Sequence, residues 1–175
     1  MLHLIPPPIH RLALRMVHGL RKQWWRLARP EVIGCRVLAF DGEDRLLLIR
    51  HSYGNQSWMA PGGGMHRGED PLIAAEREFS EELGCPLDDA VLLGVVTEDL
   101  HGARNVVHVV AGTVGGTPRP DGREVIDTAA FSARDLPENM PRLLRATMPD
   151  WVTAAKAARH SGGAPGLARP PAPIA

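Results

Sequence analysis

A lone helical segment between two sets of strand-like runs constrains this chain more than any other feature of its sequence. Ahead of it, EVIGCRVLAF at 31–40 and LLLIRHSY at 46–53 are apolar and rich in branched residues, with a turn signal at Asp41-Gly42 between them. Behind it come VLLGVVTEDL at 91–100, NVVHVVAGTV at 105–114, joined around 101–103, and REVIDTAAF at 123–131. Strands and helices do not alternate regularly, so the expectation is an α+β or mixed α/β sandwich and not a doubly wound sheet. The helix is sharply bounded. Asp70 is a good N-cap, Pro71 suits the first helical position, and Gly84 is a stop after Leu83. The segment before it, NQSWMAPGGG at 55–64, reads as a loop.

The ends of the chain differ from this centre. Residues 1–9 contain three consecutive prolines, which exclude a helix there. From His10 to Leu27, apolar residues Leu12, Met16, Leu20, Trp24 and Leu27 recur at helical spacing with basic residues between them, and Arg29-Pro30 ends the pattern. A second helix is expected over 141–158, broken or kinked at Pro149. The last stretch is low in complexity and reads as a disordered tail. The organisation expected is a basic extension at 1–30, one domain at 31–159 and a tail at 160–175.

A formal net charge of zero conceals a division. Residues 1–30 hold six basic groups and no acid, whereas 31–155 hold 11 basic against 20 acidic residues, a net −9. An acidic body suits the collection of divalent cations and argues against a nucleic-acid-coating protein. Cys35 and Cys85 read as buried free thiols in a reducing compartment, too few for a zinc site. No apolar run is long enough to span a membrane and no secretory leader is evident, so the expected location is the cytoplasm.

The chemistry lies in GGMHRGEDPLIAAEREFSEELGC, residues 63–85. At about 100° per residue, Glu82 and Glu81 fall about 40° and about 60° to either side of Glu78, so three carboxylates share one helix face. Leu72, Ala75, Phe79 and Leu83 form an apolar stripe beside them, and Arg77 flanks the acidic face. Like charges this close repel by a few tenths of a kcal/mol per pair unless something binds them. Mg²⁺ prefers oxygen ligands and completes its shell with water and substrate phosphate. Carboxylates next to a glycine-rich loop that can closely approach a polyphosphate form such a site.

Gly63, Glu69 and the run Arg77-Glu78-Phe79-Ser80-Glu81-Glu82-Leu83-Gly84-Cys85 resemble the Nudix box, G-x5-E-x7-R-E-U-x-E-E-x-G-U, where U is bulky and apolar. Seven specified positions match by chance at on the order of 10⁻⁹ per start position. Cys85 stands where Ile, Leu or Val is usual, and packs as a small hydrophobe. Trp58 to Gly64 is similar to the W-x-x-P-G-G-G approach common in the family. The resemblance implies a Nudix-type α/β/α sandwich with a mixed sheet. It also implies Mg²⁺-dependent hydrolysis, with Mn²⁺ as the alternative ion, of a phosphoanhydride bond in a nucleoside diphosphate linked to another moiety.

By the same resemblance, Glu78, Glu81 and Glu82 bind the metal and the Gly63 carbonyl adds a ligand. Glu78 doubles as a candidate general base, and Glu69 with Arg77 orients the ligands from behind. Glu124 stands where related enzymes often have a further metal-binding or catalytic acid, against the reading as a surface glutamate. Glu98, Asp99 and His101 are weighed as substrate contacts against loop decoration. Arg50, His51 and Tyr53 are weighed as phosphate or base contacts, and His108 reads as a half-buried strand residue. Two other functions stay open: a non-catalytic nucleotide-sensing module of the same fold, and an RNA 5′-end pyrophosphohydrolase. The partner expected is a small nucleoside diphosphate derivative and not DNA. The helix at 10–29 is assigned to docking on the domain or in a homodimer, with membrane-surface or RNA contact through Trp24-Trp25 as the alternative. The box alone does not select a substrate. The proline that marks the ADP-ribose subgroup is absent around 100–102, and so is the upstream motif of coenzyme A pyrophosphatases.

Overall fold

The computed structural model describes residues 23–161 apart from Arg26 and His101, together with Val17 and Leu20. The tail at 162–175 and most of the 1–22 segment therefore lie outside the described residues. Six strands and two long helices follow in order: β1 (Glu31–Phe40), β2 (Leu46–His51), β3 (Trp58–Met59), α1 (Pro71–Leu83), β4 (Leu87–Leu100), β5 (Ala103–Val114), β6 (Val125–Phe131) and α2 (Arg142–Ser161). The sheet runs β3-β2-β1-β5-β4, and β6 pairs with β2. β1 and β5 are parallel from Glu31↔Arg104 to Phe40↔Thr113, while every other pairing is antiparallel. The mixed sheet and the absence of βα alternation are as the sequence implies. Among the described residues, no helix is long and apolar enough to cross a membrane.

Alternation along the strands builds two apolar layers. Cys35, Val37 and Ala39 of β1, with Leu47 and Ile49 of β2, meet Ala74, Ala75, Phe79 and Leu83 of α1. The residues between them, Leu38, Phe40, Leu46 and Leu48, meet Leu144, Met148, Trp151, Val152 and Ala155 of α2. The sheet is thus covered on both faces, and α1 is pressed onto it by the stripe that places its glutamates along the rim.

Both ends of α1 agree with the sequence reading. Asp70 accepts the Leu72 N–H at 2.8 Å. Gly84 turns into the left-handed region at φ 63°, its N–H reaching Ser80 O at 2.9 Å.

Four expectations need correction. The stretch read as loop contains β3, whose Trp58 and Met59 pair with Arg50 and Ile49; two residues among Gly and Pro carry no visible period. β4 begins at Leu87, four residues before the expected start, and is bulged between Asp88 and Val91 where Asp89 has φ 52°. That irregularity hides the alternation. α2 continues through Pro149. Pro149 and Arg145, the residue whose carbonyl loses its partner, are both exposed. The buried Leu144, Met148, Trp151 and Val152 hold the helix to the sheet on both sides of the proline. Lastly, Val17, Leu20, Trp24 and Leu27 are exposed, whereas Trp25, one position off the predicted stripe, is buried.

Candidate active site

The site begins with a strand edge that has no full strand partner. β1 pairs with β5 along one side, but on the other it meets β2 only at Phe40↔Leu46. The Pro61–Met65 segment occupies the rest of that edge. Cys35 N–H donates to Gly63 O at 2.9 Å, Val37 N–H to Pro61 O at 2.8 Å, and Met65 N–H to Ile33 O at 3.0 Å. Close approach demands glycine here. A Cβ on Gly62 would lie 2.3 Å from Cys35 O, at a φ of +133° that L residues rarely adopt. A Cβ on Gly63 would lie 2.4 Å from a Glu78 carboxylate oxygen. Gly63 therefore makes room for Glu78, and one lone pair of its carbonyl is taken by Cys35.

α1 brings its acids under this loop. Glu82 is buried, 6% exposed, and accepts the Gly62 N–H at 3.0 Å. Burial pushes its pKa well above the ordinary carboxylate value, outweighing the Gly62 hydrogen bond, and the negative charges of Glu124, Glu78 and Asp121 push the same way. Glu78 is half-buried and likewise raised, chiefly by burial, although Arg77 Nη1 donates to it at 2.7 Å. Glu81 projects further out, its side chain 63% exposed and 3.6 Å from Arg77.

Arg77 and Glu69 form a brace behind these groups. Arg77 donates to both Glu69 oxygens, at 2.9 and 3.0 Å, to Glu78, and to the Gly64 carbonyl at 3.0 Å. Glu69 also accepts the His66 N–H at 2.7 Å. These bonds, led by Arg77, hold the Glu69 carboxyl at about 2. One guanidinium thereby ties the loop, the approach to α1 and α1 itself.

The remaining contributors arrive from distant segments. Asp121 accepts the backbone N–H groups of Arg123, Glu124 and Val125, which fixes the turn leading into β6. That turn sets Glu124 where the Tyr53 hydroxyl donates to it at 2.7 Å. Tyr53 stacks on His51, with ring centroids 4.9 Å apart, and burial lowers the His51 pKa. Glu78, Glu81, Glu82 and Glu124 all line one cavity of about 490 Å³, together with His51, Tyr53 and the Gly62–Gly64 loop.

Several sequence candidates lie elsewhere. Arg50 pairs with Asp127 and lies over Trp58, Glu98 pairs with Arg36 at 2.6 Å, and Asp99 accepts the Gly102 N–H in the β4–β5 turn. His108 sits on β5, its Nδ1 buried without a partner among the described residues, and His101 is outside those residues. Cys35 and Cys85 are free and buried, and burial pushes both thiols up.

Sequence reasoning missed Gly34 and Asn105, and weighed Trp25 only as a membrane-surface or RNA contact. All three line the cavity. Only Gly34, in a strand-like run where glycine is costly, carried a signal.

Among the described residues, no three His, Cys, Asp or Glu side chains converge closely enough to form a ready metal cluster. The reason is visible in their partners: Glu78 is held by Arg77, Glu82 by Gly62 and Glu124 by Tyr53. The donor set is nonetheless one that a hard cation fits, because the carboxylates facing the cavity outnumber its cations. A buried carboxylate with one backbone donor, such as Glu82, is costly without a further positive partner.

Comparison with known proteins agrees with this geometry. Residues 30–153 match the NUDIX domain model. Diphosphoinositol polyphosphate phosphohydrolase 2 of Mus musculus is 35% identical over 79 residues, which is 45% of this chain and 44% of that protein. The chain thus spans under half the length of that relative. A MutT NUDIX hydrolase from Burkholderia pseudomallei superposes with a TM-score of 0.60 at 29% identity, covering 67% of this chain and 95% of that one. A MutT protein from Methanosarcina mazei Go1 gives 0.61 at 22% identity, over 71% and 94% of the two chains, and speaks to the fold alone. With most of the chain, residues 30–153, matched by the domain model and the box built into the cavity wall, the chain belongs to the Nudix family of hydrolases.

Proposed function

We propose that this chain is a Mg²⁺-dependent pyrophosphohydrolase that cleaves a phosphoanhydride bond in a nucleoside diphosphate linked to another moiety. The observation that carries the reading is the gathering of Glu78, Glu81, Glu82 and Glu124 in one cavity beneath a glycine loop. Negative protein groups do not bind phosphate directly, so a divalent cation is the natural bridge. Glu78, Glu81 and Glu82 would hold it, with Glu124 as a further ligand or proton acceptor. When bound, such an ion supplies an activated water and neutralises charge on the phosphoryl oxygens.

The chain's own groups then have separate tasks. Glu69 and Arg77 keep Glu78 aimed at the cavity, as groups behind a metal site generally do. The Gly62–Gly64 backbone admits a diphosphate at close range. Glu78 and Glu124, whose carboxylates face the cavity, are the candidate proton acceptors.

The test is a phosphate-release screen with and without Mg²⁺ over nucleotide sugars, dinucleoside polyphosphates, nucleoside triphosphates and triphosphorylated RNA. Wild type should release phosphate products from a nucleoside diphosphate derivative only with the metal, and Glu82→Gln should fall at least about a hundredfold. Equal rates in the two proteins would refute the assignment. Nucleotide binding without any release would identify a sensing module instead.

A further inference from the structure

The cavity's second wall is built by segments that carry none of the α1 carboxylates. Trp25 comes from the helix before β1, Asn105 and Val107 from β5, and Leu100 from β4. Trp25 is 8% exposed although the helical residues around it, Leu20, Trp24 and Leu27, are 66%, 57% and 87% exposed. Its position is set by the backbone. Arg29 N–H closes on Trp25 O at 2.9 Å, Arg29 turns at φ 45°, and Arg104 N–H holds Pro30 O at 3.1 Å. The indole is thus carried to the cavity by a helix end stitched to β5.

Asn105 supplies an independent observation. It is 9% exposed and lines the cavity, and among the described residues its side-chain amide has no hydrogen-bond partner. The amide faces the cavity, where it can offer a ligand both a donor and an acceptor. On β5 it lies between Val32 of β1 and Glu98 of β4. Charge narrows the ligand further. Among the described lining residues, the one cationic side chain of fixed charge, Arg36, is already paired with Glu98. A ring bearing many phosphates, such as the name of the mouse relative denotes, would find no matching cations among the described lining residues.

We propose that Trp25 and Asn105 form the recognition subsite for the non-phosphate end of the substrate, a planar nucleobase stacked on the indole and read at its edge by the amide. The inference rests on the reading that the carboxylate wall handles a diphosphate. It makes the segment before the family domain a determinant of specificity, since Trp25 lies outside residues 30–153.

The full chain, labelled with 5-fluorotryptophan, gives four ¹⁹F signals, one for each of its four tryptophans. Trp25→Phe identifies the Trp25 signal. With Mg²⁺ present, the α,β-methylene analogues of ADP and UDP should shift that signal, and methylenediphosphonate, which has no base, should leave it in place. Calorimetry on Trp25→Leu and Asn105→Leu should show the affinity ratio of nucleoside over base-free probe falling roughly tenfold. Trp25→Phe should keep most of that ratio. A Trp25 signal unmoved by either nucleoside analogue, or moved equally by the base-free probe, overturns the subsite without needing any variant to fold. Mg²⁺-dependent phosphate release by the same wild-type preparation separates the cases. Release with an unresponsive Trp25 defeats the subsite alone, whereas a responsive Trp25 with no release on any substrate defeats the hydrolase reading and leaves the subsite standing.

Discussion

The two walls of the cavity are constructed on different plans. The α1 wall is contiguous in sequence and redundantly held: Arg77 alone bonds Glu69, Glu78 and the Gly64 carbonyl, and Gly62 holds Glu82. The other wall collects single residues from β4, β5, the helix before β1 and the β6 turn, among them Glu124, which accepts from Tyr53. A redundantly braced wall suits chemistry, which tolerates little displacement of reacting groups. A wall assembled piecemeal is the part that can vary with the ligand.

That contrast is open to direct attack. The largest effect should come from crowding the braced wall. Gly63→Ala puts a methyl into the Glu78 carboxylate, and steady-state phosphate release should drop by on the order of 10²-fold. An active Gly63→Ala enzyme would mean that Glu78 need not sit where it does. Arg77→Lys keeps the charge but loses the planar fork that grips Glu69 and Gly64 together. Its Mg²⁺ requirement should rise and its activity fall roughly 10–100-fold in the same assay.

On the second wall, Tyr53→Phe removes one hydrogen bond to Glu124 and should cost only about fivefold. If Tyr53→Phe proved more damaging than Arg77→Lys, the division between walls would collapse.

The smallest expected effect is on stability. Glu82 and Glu78 have folded-state pKa values raised above their ordinary 4.5, so the folded chain binds protons more tightly than the unfolded chain does. Their contribution is fully present below pH 4.5 and is lost as pH rises through the raised values. In the metal-free protein, scanning calorimetry should therefore show Tm falling above that range by a few degrees, about 2–4 °C per kcal/mol. Mg²⁺, which favours the charged carboxylates, should restore more of it the higher the pH. Glu69 acts in the opposite sense, stabilising above 4.5 and losing its effect only as pH falls through about 2. A Tm that rises steadily with pH in metal-free buffer would contradict the raised values.

How much of this was legible in the sequence follows the same division. The spacing of Glu78, Glu81 and Glu82, the Asp70 cap and the Gly84 stop are local facts, and α1 lies where those residues put it. The strand runs were legible because one side of each alternation is buried. β3 was not, because two residues take their identity from partners on β2. Pro149 misled because local propensity argues for a break, while Met148, Trp151 and Val152 decide in favour of packing. The inward place of Trp25 was not legible for a similar reason. The helical period favours Leu20, Trp24 and Leu27, but the turn at Arg29 and the Pro30 link rotate a different residue inward. Asn105 is an ordinary strand residue until β1 and β4 close on either side of it.

The central claim is that the braced carboxylates bind a divalent cation. Titrating Mn²⁺ into the protein and counting free ion by electron paramagnetic resonance tests it without any substrate. Wild type should bind Mn²⁺ in competition with Mg²⁺, and Glu82→Gln should weaken that binding by about tenfold or more while its circular dichroism is unchanged. Equal Mn²⁺ affinity in the two proteins would contradict the account.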